Sequence, residues 1–158
     1  MCGIVCYVGN SEARPILLEG LKRLEYRGYD SSGVAIQNNR HIHCHRSVGK
    51  IVHLERKLND THFTGTTGIA HTRWATHGEP TEENAHPHRD QKGAVFVVHN
   101  GIIENYHAIR KDLKKKGILF RSETDTEVLA HLIALYFDGN LSQAVMKTMA
   151  RVERSEEH

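Results

Sequence analysis

Apolar residues near the start of the chain follow first the spacing of a strand and then that of a helix. Residues 2–8, CGIVCYV, are small or branched apolar residues that suit a strand packed on both faces. The stretch SEARPILLEGLKRLEYRG then predicts a helix with Ser11 as its cap and Pro15 in its first turn. Its predicted buried stripe consists of Ile16, Leu17, Leu21 and Leu24. The stretches VAIQ and HIHCHR flank NNR and predict a β-hairpin.

The rest of the pattern alternates strands, helices and one long polar segment. GIAHTRW and AVFVVHN suit strands, and the polar stretch WATHGEPTEENAHPHRDQKG between them predicts a functional or disordered loop. NYHAIRKDLKKKG predicts a helix with a solvated basic face that ends at Gly117. SETDTEVLAHLIALYF predicts another helix, with Ser122 and Asp125 spaced as a capping box. After DGN, a last helix has the predicted stripe Leu141, Ala144, Val145 and Met149. This order of elements predicts an α+β or layered α/β domain.

Composition and charge narrow the class of protein. The chain has 158 residues, enough for one domain, and its net charge of +2 argues against nucleic acid as the main partner. No stretch approaches the roughly 18 apolar residues of a membrane span. The start of the chain lacks the pattern of a secretory signal, so we expect no membrane association. The three cysteines, Cys2, Cys6 and Cys44, have no disulfide-framework spacing, which favours a reducing compartment such as the cytoplasm.

Cys2 has two interpretations, a small apolar residue or a nucleophile. A cysteine attacks as its thiolate and therefore needs a base. If Met1 is removed, the α-amine of Cys2 lies next to its own sulfur, so one residue supplies both nucleophile and base. Position two alone does not choose between these interpretations.

Three further places in the chain combine a structural interpretation with a chemical one. Asn100 and Gly101 follow a predicted strand, and the pair is typical of a turn, but its N–H groups also suit an oxyanion hole. Arg73, next to Trp74 at a strand end, suits either a salt bridge or a substrate carboxylate. Asp125, at a predicted helix start, suits either a cap or the binding of an ammonium group.

The chain's thirteen histidines raise the alternative of a zinc-dependent hydrolase. Three of them alternate along one predicted strand: His41, His43 and His45. Four lie in or beside the long polar segment: His71, His77, His86 and His88. No HExxH spacing is present, and no acidic partners are obviously placed to orient the rings, so we expect no metal.

Five stretches of the sequence resemble one known family. They are MCGIV, LEYRGYDSSGVA, GIAHTRWATHGEPTEENAHPH, VVHNGIIENY and SETDTEVLAHL. They closely resemble the glutaminase domain of the glutamine–fructose-6-phosphate amidotransferases, the isomerising enzymes that make glucosamine 6-phosphate. The resemblance implies the N-terminal-nucleophile hydrolase fold, an α+β, four-layer αββα sandwich of two antiparallel sheets between helix layers.

The resemblance also implies which residues are catalytic. Cys2 matches the nucleophile, which removal of Met1 exposes, and Arg27 matches a loop arginine near that nucleophile. The Asn100 side chain and the Gly101 backbone N–H match the oxyanion hole.

A second set of positions matches residues that bind the substrate. Arg73 matches the residue that binds the α-carboxylate of glutamine, and Thr76 and His77 lie beside it. Trp74 matches a gate through which ammonia leaves. Asp125 matches the partner of the α-ammonium group.

The implied reaction is hydrolysis of L-glutamine through a γ-glutamyl thioester, without a cofactor. In the family, the ammonia passes to fructose 6-phosphate in sugar-isomerase domains, and the enzymes are homo-oligomers. The last stretch, MARVERSEEH, stands where the family's domain continues, so we expect residues 1–158 to be a C-terminally incomplete glutaminase domain without the sugar-isomerase domains. A glutamine-binding fragment with weak or no turnover is the other alternative. Cys6 stands where the family usually has glycine, and we assign it no role.

Overall fold

The computed structural model describes residues 2–74 and 78–155. These residues form two units, one that ends at Pro87 and one that begins at His88. Within the described residues, none of the helices has both the length and the apolar composition that crossing a membrane requires.

The first unit is built on a four-stranded antiparallel sheet. Its strands are β1 (Gly3–Val8), β2 (Ser31–Asn38), β3 (His41–Val48) and β4 (Thr67–Arg73), in the spatial order β1-β4-β2-β3. The predicted first strand, the hairpin and the strand GIAHTRW are therefore confirmed. Asn39 in the hairpin turn has a φ of 53°, a left-handed conformation that asparagine tolerates better than most residues. The pairing of Gly3 with Thr72 brings the start of β1 to the end of β4.

Two helices pack their apolar faces against the sheet and form the core of this unit with it. They are α1 (Ala13–Leu24), which a 3-10 turn (Glu25–Arg27) follows, and α2 (Ile51–Asn59). The core consists mainly of Leu17, Leu21, Val34, Ile36, Leu54, Leu58 and Ala70. These side chains come from both helices and from β2 and β4, so the helices and the sheet share one core.

The predicted cap and part of the predicted stripe of α1 are wrong. The helix begins at Ala13 after Glu12, without a side-chain cap, and the Ser11 N–H instead donates to the Tyr7 hydroxyl at 3.1 Å. The cap position lies one residue later than predicted, and the buried face consists of Ala13, Leu17, Leu18 and Leu21. Ile16 is 37% exposed and Leu24 is only half-buried.

Over residues 88–155, the second unit contains three helices and four two-residue strands. The strands pair as β5 (His88–Arg89) with β6 (Phe96–Val97) and as β7 (Ile102–Ile103) with β8 (Arg154–Ser155), and both pairs are antiparallel. The helices are α3 (Tyr106–Lys115), α4 (Glu127–Tyr136) and α5 (Leu141–Arg151). Their core consists of Ile103, Ile109, Leu113, Val128, Leu129, Leu132 and Val152.

The strand predicted for AVFVVHN is much shorter in the structure. The carboxylate of Asp90 accepts the backbone N–H groups of Ala94 and Val95 at 2.7 and 2.8 Å, so a tight turn occupies the start of the segment. The chain leaves the strand pair after Val97. β5 falls inside the predicted long loop.

The helices of the second unit lie where the sequence predicts them, but not every predicted apolar face is buried. The basic side of α3 is exposed at Lys111, Lys114 and Lys115, as predicted. On α5, Ala144 and Thr148 are buried, whereas Leu141 of the predicted stripe is 57% exposed.

The capping box predicted for Ser122 and Asp125 is wrong. α4 begins only at Glu127, and residues 121–126 are not helical. The hydroxyl and backbone N–H of Ser122 both donate to the Glu127 carboxylate, so the side-chain pairing skips Asp125.

Candidate functional site

The thiol of Cys2 lies against the backbone of Trp74. The Trp74 N–H donates to Cys2 Sγ at 3.2 Å, and the Sγ lies 3.6 Å from the Trp74 carbonyl oxygen, to which it donates. Cys2 is half-buried and forms no disulfide. A backbone N–H directed at sulfur stabilises the charged thiolate relative to the thiol. The contact therefore places a reduced thiol against the backbone of Trp74, the residue that follows Arg73 in the chain.

Arg73 is the last residue of β4 and is 4% exposed. Its guanidinium donates to the carbonyl oxygens of Gly78 and Glu79 at 3.3 and 3.2 Å. Asp30 Oδ1 lies 3.8 Å from Arg73 Nη1 and forms an ion pair with it. These contacts agree with the structural interpretation of Arg73. Its role in binding a substrate carboxylate stays a prediction.

The loop that carries Arg27 packs against the indole of Trp74. Gly28 has a φ of 85°, and a Cβ at this position would lie 2.6 Å from a ring carbon of Trp74. Glycine is therefore required for this close approach, directly after the exposed Arg27 in the chain. Trp74 is 52% exposed, as a residue that covers a site from the solvent side would be.

Thr76 and His77, the two other substrate-binding positions predicted near Arg73, lie outside the described residues. The chain is described again from Gly78, which contacts Arg73.

In the second unit, Asn100 and Gly101 form the turn between β6 and β7. Asn100 is exposed, and Gly101 has a φ of 118°, a conformation that residues with a side chain rarely adopt. The chain bends at Gly101, where the sequence predicts a turn. The role of the pair as an oxyanion hole stays a prediction.

Asp125 is connected to the strand that follows this turn. Its Oδ2 accepts the Ile103 N–H at 2.7 Å, and the side chain is 8% exposed. Asp125 Oδ1 lies 3.4 Å from the Thr126 hydroxyl, which is long for an O–H···O hydrogen bond. Asp125 therefore uses its side chain for a bond to β7, and its predicted role as the partner of an ammonium group stays a prediction.

Three polar residues near these positions are not singled out by the sequence. Asp30 pairs with Arg73, Glu127 binds the backbone before α4, and His99 lies 3.5 Å from the Thr126 hydroxyl. Burial lowers the pKa of His99, the Asp125 charge opposes this shift and the Arg154 charge adds to it, so the ring is neutral near pH 7. Their sequence signals are weak: an acid in a glycine-punctuated loop, a histidine beside Asn100, and an acid five residues after a serine.

The histidines on β3 pack against an aromatic ring. His43 and His45 stack on Phe63 with ring centroids 4.2 and 5.5 Å apart, and the Arg14 guanidinium lies 4.5 Å from the same centroid. Burial, with the charge of Lys57, lowers the pKa of His45. These rings are thus part of a packed cluster.

The histidines of the long segment also have partners of other kinds. His71 and His86 stack at 4.1 Å, and His88 Nε2 lies 2.8 Å from the Thr124 hydroxyl. No group of three or more His, Cys, Asp or Glu side chains in residues 2–74 and 78–155 is arranged to hold a metal ion. His77 lies outside those ranges. The zinc interpretation therefore has no support in this geometry.

Comparison with known sequences identifies close relatives. A family model described as a glutamine amidotransferase domain matches residues 46–144. The glutamine–fructose-6-phosphate aminotransferases [isomerizing] of Clostridium tetani and Aquifex aeolicus are 57% and 56% identical over 155 and 153 residues. These alignments cover 98% and 97% of this chain but only 26% of each relative. The chain thus spans about a quarter of the length of the relatives it matches.

Two solved structures have a similar fold. Glutamine phosphoribosylpyrophosphate amidotransferase from B. subtilis, complexed with ADP and GMP, matches 98% of this chain with a TM-score of 0.81 and 26% identity. A structure of the allosteric regulatory enzyme of purine biosynthesis matches 98% with a TM-score of 0.83 and 26% identity. The alignments cover 33% and 34% of those chains. The predicted mixed α and β fold of N-terminal-nucleophile amidotransferases is therefore confirmed.

Proposed function

The chain belongs to the family of glutamine amidotransferase domains, and on that premise we propose that it hydrolyses the side-chain amide of L-glutamine with Cys2 as nucleophile. In a longer protein like its relatives, the ammonia would convert fructose 6-phosphate to glucosamine 6-phosphate in sugar-isomerase domains. Residues 1–158 would then be the glutaminase part of a homo-oligomeric, cytoplasmic enzyme.

The contact between Cys2 and Trp74 carries the proposal. A small residue at position two is common, but here the Cys2 sulfur accepts the N–H of Trp74, the residue that follows Arg73. The pairing of β1 with β4 holds both in place, since Gly3 lies opposite Thr72. The sulfur therefore contacts the residue that follows Arg73, whose guanidinium suits the α-carboxylate of an amino-acid substrate.

The first half of the reaction forms a thioester. Once Met1 is removed, the α-amine of Cys2 takes the thiol proton, and Sγ adds to the amide carbon of glutamine. The side-chain N–H of Asn100 and the backbone N–H of Gly101 would stabilise the oxyanion of the tetrahedral intermediate. The intermediate then collapses, the C–N bond breaks, and the Cys2 ammonium protonates the leaving nitrogen, so that ammonia departs.

The second half regenerates the enzyme. Water adds to the carbonyl carbon of the γ-glutamyl thioester while the α-amine takes its proton. Collapse of this intermediate breaks the C–S bond, returns the proton to the thiolate and releases glutamate. Each step uses groups of the chain, the substrate and water, so the proposal includes no metal or cofactor.

The remaining predicted residues bind and enclose the substrate. Arg73 would hold the α-carboxylate and Asp125 the α-ammonium, with Thr76 and His77 beside Arg73. Trp74, over which the Arg27 loop packs, would control where the ammonia leaves.

Covalent labelling tests the proposal. The chain is incubated with an electrophilic analogue of glutamine, and intact mass and peptide mapping locate the adduct. One adduct on Cys2, lost in Cys2→Ala and kept in Cys6→Ala and Cys44→Ala, is expected. An adduct on Cys6 or Cys44 would overturn the assignment, and glutamine binding without any adduct would favour the non-catalytic alternative.

A further inference from the structure

Five buried polar side chains in and around residues 121–127, the segment that carries Asp125, form one connected network. Its members are His88, Ser122, Thr124, Glu127 and His131, each at most 4% exposed. Buried polar groups are costly unless they are hydrogen-bonded, and a fully bonded network fixes one conformation. This network therefore defines how residues 121–127 are folded.

Glu127 is the acceptor at the centre of the network. Its Oε1 accepts the Arg121 N–H at 2.9 Å, and its Oε2 accepts the N–H and the hydroxyl of Ser122 at 2.7 and 2.5 Å. His131 Nε2, one helical turn later, lies 3.3 Å from Oε1. Burial alone would raise the pKa of Glu127, but the hydrogen bonds from these three residues lower it to about 2, so the carboxylate is charged at neutral pH.

These bonds close a small loop of the backbone. Glu127 belongs to α4 and Ser122 to the chain before it, so the carboxylate connects both ends of residues 122–127. Inside the loop, the Thr124 hydroxyl lies 3.0 Å from the Ser122 hydroxyl and 2.8 Å from His88 Nε2. Asp125 follows directly, and its position is set by a loop that is bonded on both sides.

We propose that Glu127 is a positioning residue for the substrate: without contacting glutamine, it fixes the loop so that Asp125 binds the Ile103 N–H with Oδ2 and presents Oδ1 to the α-ammonium group. This inference rests on the proposed function, because it takes Asp125 as the partner of that group. A displacement of about 1 Å is enough to impair a binding contact of this kind, which is why a second residue is needed to hold the first.

Glutamine is an informative replacement at position 127. Both carboxylate oxygens accept a backbone N–H, Oε1 from Arg121 and Oε2 from Ser122. A side-chain amide has only one oxygen, so in either orientation its NH2 group faces a backbone donor. Glu127→Gln therefore keeps the volume of the side chain but breaks the closure of the loop at one end.

Hydrogen exchange of the Ile103 amide tests the positioning step without any need for activity. Glu127→Gln is expected to accelerate exchange of this amide by about tenfold or more, because the bond to Asp125 Oδ2 is weakened. The amide of Leu113 in α3 should be unchanged, which shows that the core remains folded. Glu123→Gln, an exposed acid in the same segment, is the matched control. An unchanged Ile103 amide in Glu127→Gln would overturn the inference.

Kinetics then test the connection to the substrate. Glu127→Gln is expected to raise KM for glutamine about tenfold, with kcat within about threefold, and to reduce the preference for glutamine over an analogue without the α-amine. Asp125→Asn should act in the same way, and the double variant should be no worse than Asp125→Asn alone, because both changes remove one interaction. Purely additive effects in an active chain would overturn the inference and leave the proposed function standing. An unsubstituted chain that neither binds nor hydrolyses glutamine would instead overturn the proposed function, and the substrate part of the inference with it.

Discussion

The Asp125 carboxylate accepts the backbone N–H of Ile103 at 2.7 Å, which ties the segment before α4 to the strand after the Asn100–Gly101 turn. Ile103 lies only two residues after Gly101, so one hydrogen bond connects the candidate for ammonium binding with the candidate oxyanion hole of the same unit. A substitution at Asp125 is therefore expected to change the conformation of the Asn100–Gly101 segment. The effects of substitutions at Asp125 and Asn100 on activity should not be simply additive.

Asn100 acts, in the proposed mechanism, on charge that develops only in the transition state. Asn100→Ala should thus lower kcat by roughly 10²–10³ with little change in KM. Steady-state glutamate release measures both constants. Asn59→Ala, at an exposed position at the end of α2, is the control and should leave them unchanged. A large rise in KM with a normal kcat would contradict the role given to Asn100.

Arg73 binds, in the same mechanism, a carboxylate that is charged throughout the reaction. Arg73→Lys keeps the positive charge that pairs with Asp30 but loses the planar arrangement of donors. KM for glutamine should rise about 10- to 100-fold, the amount expected for a lost charged hydrogen bond. Arg23→Lys, on the exposed face of α1, serves as the control. The assignment fails if the Arg73 variant binds glutamine normally and loses only kcat.

Gly28→Ala should displace Trp74. The φ of 85° with a ψ of 148° is a conformation that residues with a side chain rarely adopt, at a cost of about 1–3 kcal/mol, and the new Cβ would also collide with the indole. Gly117→Ala separates the two effects, because Gly117 has a φ of 81° but a Cβ there would have no other heavy atom within 4 Å. Since the chain has one tryptophan, its fluorescence reports on Trp74 alone. A shift in emission is expected for Gly28→Ala and not for Gly117→Ala; identical spectra would mean that the packing of Gly28 on Trp74 is unimportant.

Glu127 should make the protein sensitive to acid. Its pKa is lowered in the folded state from the ordinary value of 4.5 to about 2, so its contribution to stability is complete above pH 4.5 and is lost as the pH falls towards 2. The difference in Tm between the unsubstituted chain and Glu127→Gln should therefore be largest near neutral pH and shrink below pH 4.5. A difference that is constant from pH 7 to pH 3 would show that the charge of Glu127 does not stabilise the fold.

The sequence predicts the long elements of this fold well, because their apolar periodicity is strong. β1, the β2–β3 hairpin and β4 are extended apolar or alternating segments, and α3 has a continuous polar face. The short strands were not predictable, since two residues carry no periodicity. The segment AVFVVHN looks like a strand, but hydrogen bonds to the Asp90 side chain replace the ladder at its start.

In the candidate site, too, the sequence predicts features that depend on neighbouring residues but not contacts between residues far apart in the chain. The turn at Asn100–Gly101 is visible in the sequence because the Asn-Gly pair acts locally. The contact of Cys2 with Trp74 joins residues 72 positions apart, and it depends on the register of β1 against β4, which no local pattern specifies. The pairing of Ser122 with Glu127 instead of Asp125 depends on where α4 begins, and that boundary is set by the buried network around Thr124.

The most direct test of the account compares glutamate release by the chain that begins with Cys2 and by the chain that retains Met1, produced with methionine aminopeptidase inhibited. Intact mass confirms each form, and Cys2→Ala gives the background rate. Because retention of Met1 leaves the thiol but moves the free amine to another residue, the Met1-retaining chain should be at least about a hundredfold slower than the processed chain. Equal rates for the two forms would contradict the proposal that the α-amine of Cys2 is the base.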